Sequence, residues 1–289
     1  LTVLPGFDPE KFMQTVEEHR ITATMLVPTM IYVLLDHPKF GDYDLSSLQT
    51  VFYGASAISP TRLSEAIRRM GPIFFQFYGQ AECPMTITVL HKADHDPDNL
   101  ERLASCGRPV PWVHVALLDD DGNEVPHGEP GEICVRGPLT MKGYLGKPEQ
   151  TDEAFAHGWL HTGDVARADD EGFLYIVDRK KDMIVSGGFN VYPREVEDVI
   201  STHPGVSAVA VIGVPDERWG ESVKAVVVPR PGHDLDPDEI IALVKEAKGS
   251  VQAPKSVDFA DSIPLSALGK PDKKALRARY WGDTGRQVN

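Results

Sequence analysis

Apolar and polar positions come in blocks over the first eighty residues. Phe7 to His19 is amphipathic and follows Asp8-Pro9; Ile21-Thr22-Ala23-Thr24-Met25-Leu26-Val27 is a β-branched run; Pro28 then leads a second apolar stretch to Leu35. The first and third blocks predict helices and the middle one a buried strand. Leu48 to Gly54 predicts a second strand, Ser59-Pro60 opens a helix through Met70, and Ile73 to Tyr78 predicts a third strand. Strands alternating with helices imply a parallel sheet.

Beyond Gly107-Arg108-Pro109 the runs shorten, and Asp121-Gly122, His127-Gly128 and Glu171-Gly172 carry hairpin chemistry, so a small antiparallel β unit is expected. After Asp182 the pattern changes again. Pro193 to Ile200 reads as a capped helix, Val206 to Val214 and Ser222 to Val228 as strands, Asp236 to Ala247 as a helix, and a basic helix lies near Arg277. The expected fold is α/β: residues 1–181 combine an α/β part with a small β subdomain, and residues 182–289 form a compact, separate α+β domain.

The length of 289 residues suits two domains, each with its own core. No apolar run reaches the roughly 18 residues that span a bilayer, so no integral membrane association is expected. A formal charge of −14 excludes broad attraction to nucleic acid, and an anionic ligand must be held by a few local cations. Cys83, Cys106 and Cys134 show no CxxC spacing, which fits a reducing cytoplasm. The chain opens at Leu1 with no charged-then-apolar leader, and its start reads as a cut.

Several motifs carry chemistry. Tyr78-Gly79-Gln80-Ala81-Glu82 leaves a strand at the sheet edge where α/β proteins bind ligands. Gly54-Ala55-Ser56 also follows a strand, and three small residues leave room for a flat ring or an acyl group. Asp164, closing Trp159-Leu160-His161-Thr162-Gly163-Asp164, offers a carboxylate to hydroxyl donors. Arg179 leaves a strand as a planar fork, and Lys270, in Pro264-Leu265-Ser266-Ala267-Leu268-Gly269-Lys270, is a mobile point charge; together they suit a nucleotide phosphate and its ribose. The Lys270 segment is not a P-loop, because Pro264 and Pro271 stand where that pattern needs glycine and Ser or Thr. Asp119-Asp120-Asp121-Gly122-Asn123-Glu124 has its glycine too early for a calcium loop and reads as a hairpin turn. His91 and His95 lie in a polar loop and are given no metal.

In this order, with Gly131-Glu132-Ile133-Cys134-Val135-Arg136-Gly137 between them, the motifs resemble the adenylate-forming superfamily of acyl-CoA synthetases, luciferases and peptide-synthetase adenylation domains. The resemblance runs from Gly54 to Lys270, and it implies that residues 1–181 are the C-terminal part of a large α/β domain and that the domain of residues 182–289 is mobile. It implies nucleotide contacts at Gly54, Ala55, Ser56, Phe77, Tyr78, Gly79, Gln80, Ala81, Asp164, Arg179 and Asn190. It further implies Mg²⁺ at Glu82, a hinge at Lys181, CoA contacts at Gly187, Gly188 and Phe189, and catalysis by Lys270. Ala81 stands where the family has threonine, removing one phosphate contact, and Pro271 where a branched aliphatic is commoner. The family's upstream phosphate loop has no equivalent before Gly54. The implied activity is ATP-dependent activation of a fatty or other apolar carboxylic acid, then transfer to CoA. A non-catalytic or incomplete fragment, and a carrier-protein-directed adenylation domain, stay open as alternatives.

Overall fold

In the computed structural model, which describes residues 1–265 and 271–281, the Asp8 side chain accepts the Lys11 amide at 2.7 Å and starts α1 (Pro9–His19). β1 (Ala23–Leu26), α2 (Pro28–Leu35), β2 (Thr50–Gly54), α3 (Pro60–Met70) and β3 (Phe74–Gln80) follow in the expected alternation. Each of the three helices has proline in its first turn, where a missing N–H costs nothing. β4 (Cys83–Leu90), α4 (Leu100–Leu103) and β5 (Arg108–Pro109) complete this part.

The sheet order is β1-β2-β3-β4-β5. β1, β2 and β3 are parallel, but β4 runs antiparallel to β3 and β5 antiparallel to β4. The expectation of a parallel sheet thus holds for three strands only. Two residues separate β3 from β4, whereas a parallel crossover needs a dozen or more. Met13, Val16, Ile31, Leu34, Val51, Leu63 and Phe74 are buried together between these helices and strands.

β6 (His114–Leu118), β7 (Gly131–Arg136), α5 (Pro148–Ala154), β8 (Leu160–Ala168) and β9 (Leu174–Arg179) come next, and the four strands form a sheet in that order. The Asp119 carboxylate accepts the Asp121 and Asn123 amides at 3.0 and 2.8 Å, so the acidic run is a turn closed on its own backbone.

By internal contacts the chain divides into Leu1–Thr162 with Ala166–Ile176, and Gly163–Val165 with Val177–Asn289. The second unit contains β10 (Ile184–Ser186), β11 (Phe189–Val191), α6 (Pro193–Ser201), β12 (Val206–Asp216), β13 (Gly220–Pro229), α7 (Pro237–Lys248), β14 (Ser256–Phe259) and α8 (Lys273–Trp281). Its sheet runs β11-β10-β13-β12, with β14 parallel to β13. β12 is buried on both faces: Val211 belongs with Val196, Ile200 and Val244, while Ala210 and Ile212 belong with Leu276 of α8. α6 is not capped by its own N-cap residue, Tyr192. The cap comes from β9, where Asp178 Oδ2 accepts the Arg194 amide at 2.8 Å and Oδ1 accepts the Arg179 amide at 2.6 Å. Among the described residues no helix is long and apolar enough to cross a membrane.

Candidate active site

β1, β2 and β3 point their carboxyl ends toward a cavity of about 210 Å³ in the first unit. Met25, Tyr53, Phe77, Pro84 and Met85 give it mostly apolar walls, and Gly54, Ala55, Gly79, Gln80 and Ala81 complete them. A crevice at the carboxyl ends of parallel strands is where open α/β sheets take ligands, because the loops there diverge and leave space. Six of the residues expected at a nucleotide therefore line one cavity: Gly54, Ala55, Phe77, Gly79, Gln80 and Ala81. Ser56 and Tyr78 do not line it; Tyr78 packs against the core around Cys83 and Ile133.

Two of these glycines are required by the protein's own packing. A Cβ on Gly54 would stand 2.3 Å from the Phe77 carbonyl oxygen, and one on Gly79 would stand 2.4 Å from the Met85 amide nitrogen. Gly79 sits at the irregularity between Tyr78 and Gln80, where β3 turns tightly into β4. Met85 is thus one chain segment that approaches Gly79 closely, while Gly79 also lines the cavity.

Two non-glycine residues on the cavity wall adopt left-handed backbone, Ala55 (φ 68°) and Met85 (φ 52°). Such conformations cost about 1–3 kcal/mol and concentrate at ligand sites. Ala55→Gly removes a Cβ from this conformation, and we expect it to stabilise the protein by about 1 kcal/mol in urea unfolding. Destabilisation by about 0.4–1 kcal/mol, the entropic cost of the glycine with no strain relief to offset it, would show that Ala55 is not strained.

Glu82 occupies the turn between β3 and β4. Its carbonyl accepts the Met141 amide at 2.7 Å, and its Oε1 accepts the Tyr144 hydroxyl at 2.7 Å. That bond, with burial second, pushes the Tyr144 phenol up to about 12. Tyr144 was not singled out in the sequence; only its meeting with Glu82 identifies it. A carboxylate held this way is a hard oxygen ligand of the kind Mg²⁺ takes.

The two motifs between Gly131 and Asp164 meet inside the first unit. His161 Nδ1 lies 2.9 Å from Glu132 Oε2 and 3.4 Å from Cys134 Sγ, and its Nε2 faces the Ala156 carbonyl at 3.1 Å. These contacts tie β7 to β8 through side chains, which accounts for Glu132 and His161 structurally.

In the second unit, Arg179 Nε lies 3.3 Å from Asp164 Oδ1, with Asp164 buried and Arg179 half exposed. The pair expected to grip a ribose is thus in contact. Gly187 and Gly188 (φ 59° and 82°) form the two-residue turn between β10 and β11, whose register pairs Ser186 with Phe189. Positive φ at both positions is what such a tight hairpin requires. The Gly187 amide donates to the Trp219 carbonyl at 2.9 Å, and a Cβ on Gly187 would stand 2.6 Å from the Trp219 ring. Phe189 and Asn190 are exposed on β11. Lys181 lies in the short helical turn Lys180–Asp182, where Asp182 accepts from Arg277 Nη2 at 2.9 Å. Lys270 lies outside the described residues.

Residues 1–145 match the model of the AMP-binding enzyme family, and residues 195–270 match that of the AMP-binding enzyme C-terminal domain. The chain belongs to the AMP-binding enzyme family. Among curated members it is 60% identical to the medium/long-chain-fatty-acid–CoA ligase FadD8 of Mycobacterium tuberculosis, over 100% of this chain and 51% of that protein. Among solved structures, it is similar to the amide bond synthetase McbA of Marinactinospora thermotolerans. The TM-score is 0.87 and the identity 41%, over 96% of this chain and 56% of that one. It is also similar to ATP-bound MatB of Rhodopseudomonas palustris, with a TM-score of 0.85 and 33% identity over 96% of this chain and 54% of that one. The chain spans about half the length of the curated relatives it matches.

Proposed function

We propose that the protein acts as an acyl-CoA ligase on a fatty or other apolar carboxylic acid. The observation that carries this reading is the apolar cavity at the carboxyl ends of β1, β2 and β3, with the Glu82 carboxylate in the turn that follows β3. The 60% identity to a fatty-acid–CoA ligase supports the same acid class. In the first half-reaction an acid carboxylate oxygen attacks the α-phosphorus of ATP, and the bond to pyrophosphate breaks to leave acyl-AMP. In the second, the CoA thiolate attacks the acyl carbonyl and AMP departs.

Within this reading the cavity wall takes the adenine and the acyl chain, excludes water, and supplies proximity. Ser56 and Tyr78 are assigned to the nucleotide on the family resemblance alone, as is Asn190. Asp164 accepts from ribose hydroxyls and Arg179 orients it. Glu82 holds Mg²⁺, which when bound offsets phosphate charge. Lys270 supplies the cation at the forming bond. Lys181 is the hinge of a C-terminal domain that begins at Asp182, and Gly187, Gly188 and Phe189 border the entry of the thiol. Three buried cysteines without a disulfide suit a reducing cytoplasm.

The test is product analysis with acid, ATP, Mg²⁺ and CoA. The expected result is a CoA thioester with AMP and pyrophosphate in equal amounts. Release of ADP, or acyl-AMP that reacts with amines but never with CoA, would overturn the ligase reading. The amine outcome would move the protein toward the chemistry named for McbA.

A further inference from the structure

Tyr144 meets Glu82 from 62 residues downstream, and both partners are anchored. The Glu82 carbonyl is held by the Met141 amide, three residues before Tyr144. The Tyr144 amide donates to Thr151 Oγ1 at 2.9 Å, and that hydroxyl donates to the Lys147 carbonyl at 2.9 Å. Gly143 lets this approach happen, since a Cβ there would stand 2.7 Å from Thr151 Cγ2. The first turn of α5 thus fixes Thr151, Thr151 fixes the Tyr144 backbone, and the Tyr144 hydroxyl reaches the glutamate.

A glutamate in a two-residue turn has three rotatable bonds, and ordering it at the moment a ligand binds costs conformational entropy. A carboxylate carries about four acceptor positions on two oxygens. A donor on one oxygen fixes the plane of the group and the direction in which the other oxygen faces. Partners of this kind commonly orient ligating carboxylates in metal sites.

We propose that Tyr144 is a positioning residue that pre-orients the Glu82 carboxylate for a divalent cation bound with the nucleotide. The inference rests on the reading of Glu82 as the cation's ligand, given above. It predicts that losing the Tyr144 hydroxyl weakens cation binding while leaving the fold and the metal-free nucleotide affinity alone. A contact that merely tethered residues 141–144 to the β3–β4 turn would move stability, not cation affinity.

The experiment uses the 289-residue chain and follows free Mn²⁺ by electron paramagnetic resonance in the presence of a non-hydrolysable ATP analogue, with thermal melts alongside. Tyr144→Phe is expected to weaken Mn²⁺ binding about tenfold, with an unchanged melting temperature. Thr151→Val, which keeps the phenol but removes its anchor, is expected to weaken binding in the same direction, so the inference stays testable if Tyr144→Phe folds poorly. Glu82→Gln serves as the reference. If Glu82→Gln weakens Mn²⁺ binding but Tyr144→Phe and Thr151→Val bind as the wild type does, the positioning role of Tyr144 is overturned and the reading of Glu82 survives. If Glu82→Gln binds Mn²⁺ as the wild type does, or the wild type binds none, the reading of Glu82 falls and this inference with it.

Discussion

Lys270→Ala is expected to lower acyl-adenylate formation by about 10²–10³-fold, the usual cost of deleting one pre-organised transition-state donor, while sparing thioester formation from supplied acyl-AMP. The first half-reaction brings a carboxylate against a polyphosphate, so negative charge builds where both are already anionic. A single ammonium at the forming bond acts strongly there once water is excluded. The second half-reaction joins a thiolate to a neutral acyl carbonyl and expels AMP, and the proposed role gives Lys270 nothing to stabilise in it. Single-turnover assays of the two halves separate the cases. Equal loss of both would mean that Lys270 supports the fold or binds nucleotide throughout, and would remove its assignment to the first step.

Lys273→Met is expected to destabilise the second unit by about 3 kcal/mol, because it removes the cation facing a buried carboxylate and leaves that carboxylate uncompensated. Lys273 Nζ lies 2.8 Å from Glu197 Oε1, both side chains are largely buried, and Glu197 also accepts the Val211 amide at 2.7 Å. Burial pushes the Glu197 carboxyl up, with the Lys273 charge opposing it; Asp178 is pushed up by burial and opposed by the same lysine. The sign of the pH dependence follows. A carboxyl whose folded pKa is raised contributes stability that is present below its unfolded value, near 4.5 for Glu197, and lost as pH rises through the folded value. Removing Lys273 raises both carboxyls further, so the deficit of the variant should be largest at neutral pH and shrink toward pH 5. Urea unfolding at the two pH values measures this. A deficit that is the same at both, or below about 1 kcal/mol, would show that the lysine does not compensate these acids.

Helix starts were legible in the sequence because their signals are local. Asp8-Pro9, Pro28 and Ser59-Pro60 each combine a residue that tolerates the first turn with an apolar period, and α1, α2 and α3 begin there. The double-glycine bend at Gly187-Gly188 was legible for the same reason, since positive φ at two successive residues leaves little else to place there.

What depends on residues far apart in the chain was not legible. The cap of α6 is Asp178, sixteen residues before the Arg194 amide it accepts, across strands whose pairing the local pattern does not encode. The Glu82–Tyr144 bond joins residues 62 positions apart, and nothing around Tyr144 sets it off from other tyrosines. Gly54 and Gly79 line the cavity, and each is also pressed by the protein's own backbone, a constraint that the local pattern does not encode. A sequence shows where a side chain is missing, not what fills the space.

On the proposed function, this protein activates an acid on the α-phosphate of ATP. Isotope exchange between pyrophosphate and ATP tests it most directly, using the purified protein, Mg²⁺ and a panel of fatty and aryl acids without CoA. We expect label to enter ATP only when an acid is present, and most strongly with a medium- or long-chain fatty acid. Exchange that ignores the acid, or no exchange with any member of the panel, would contradict the account.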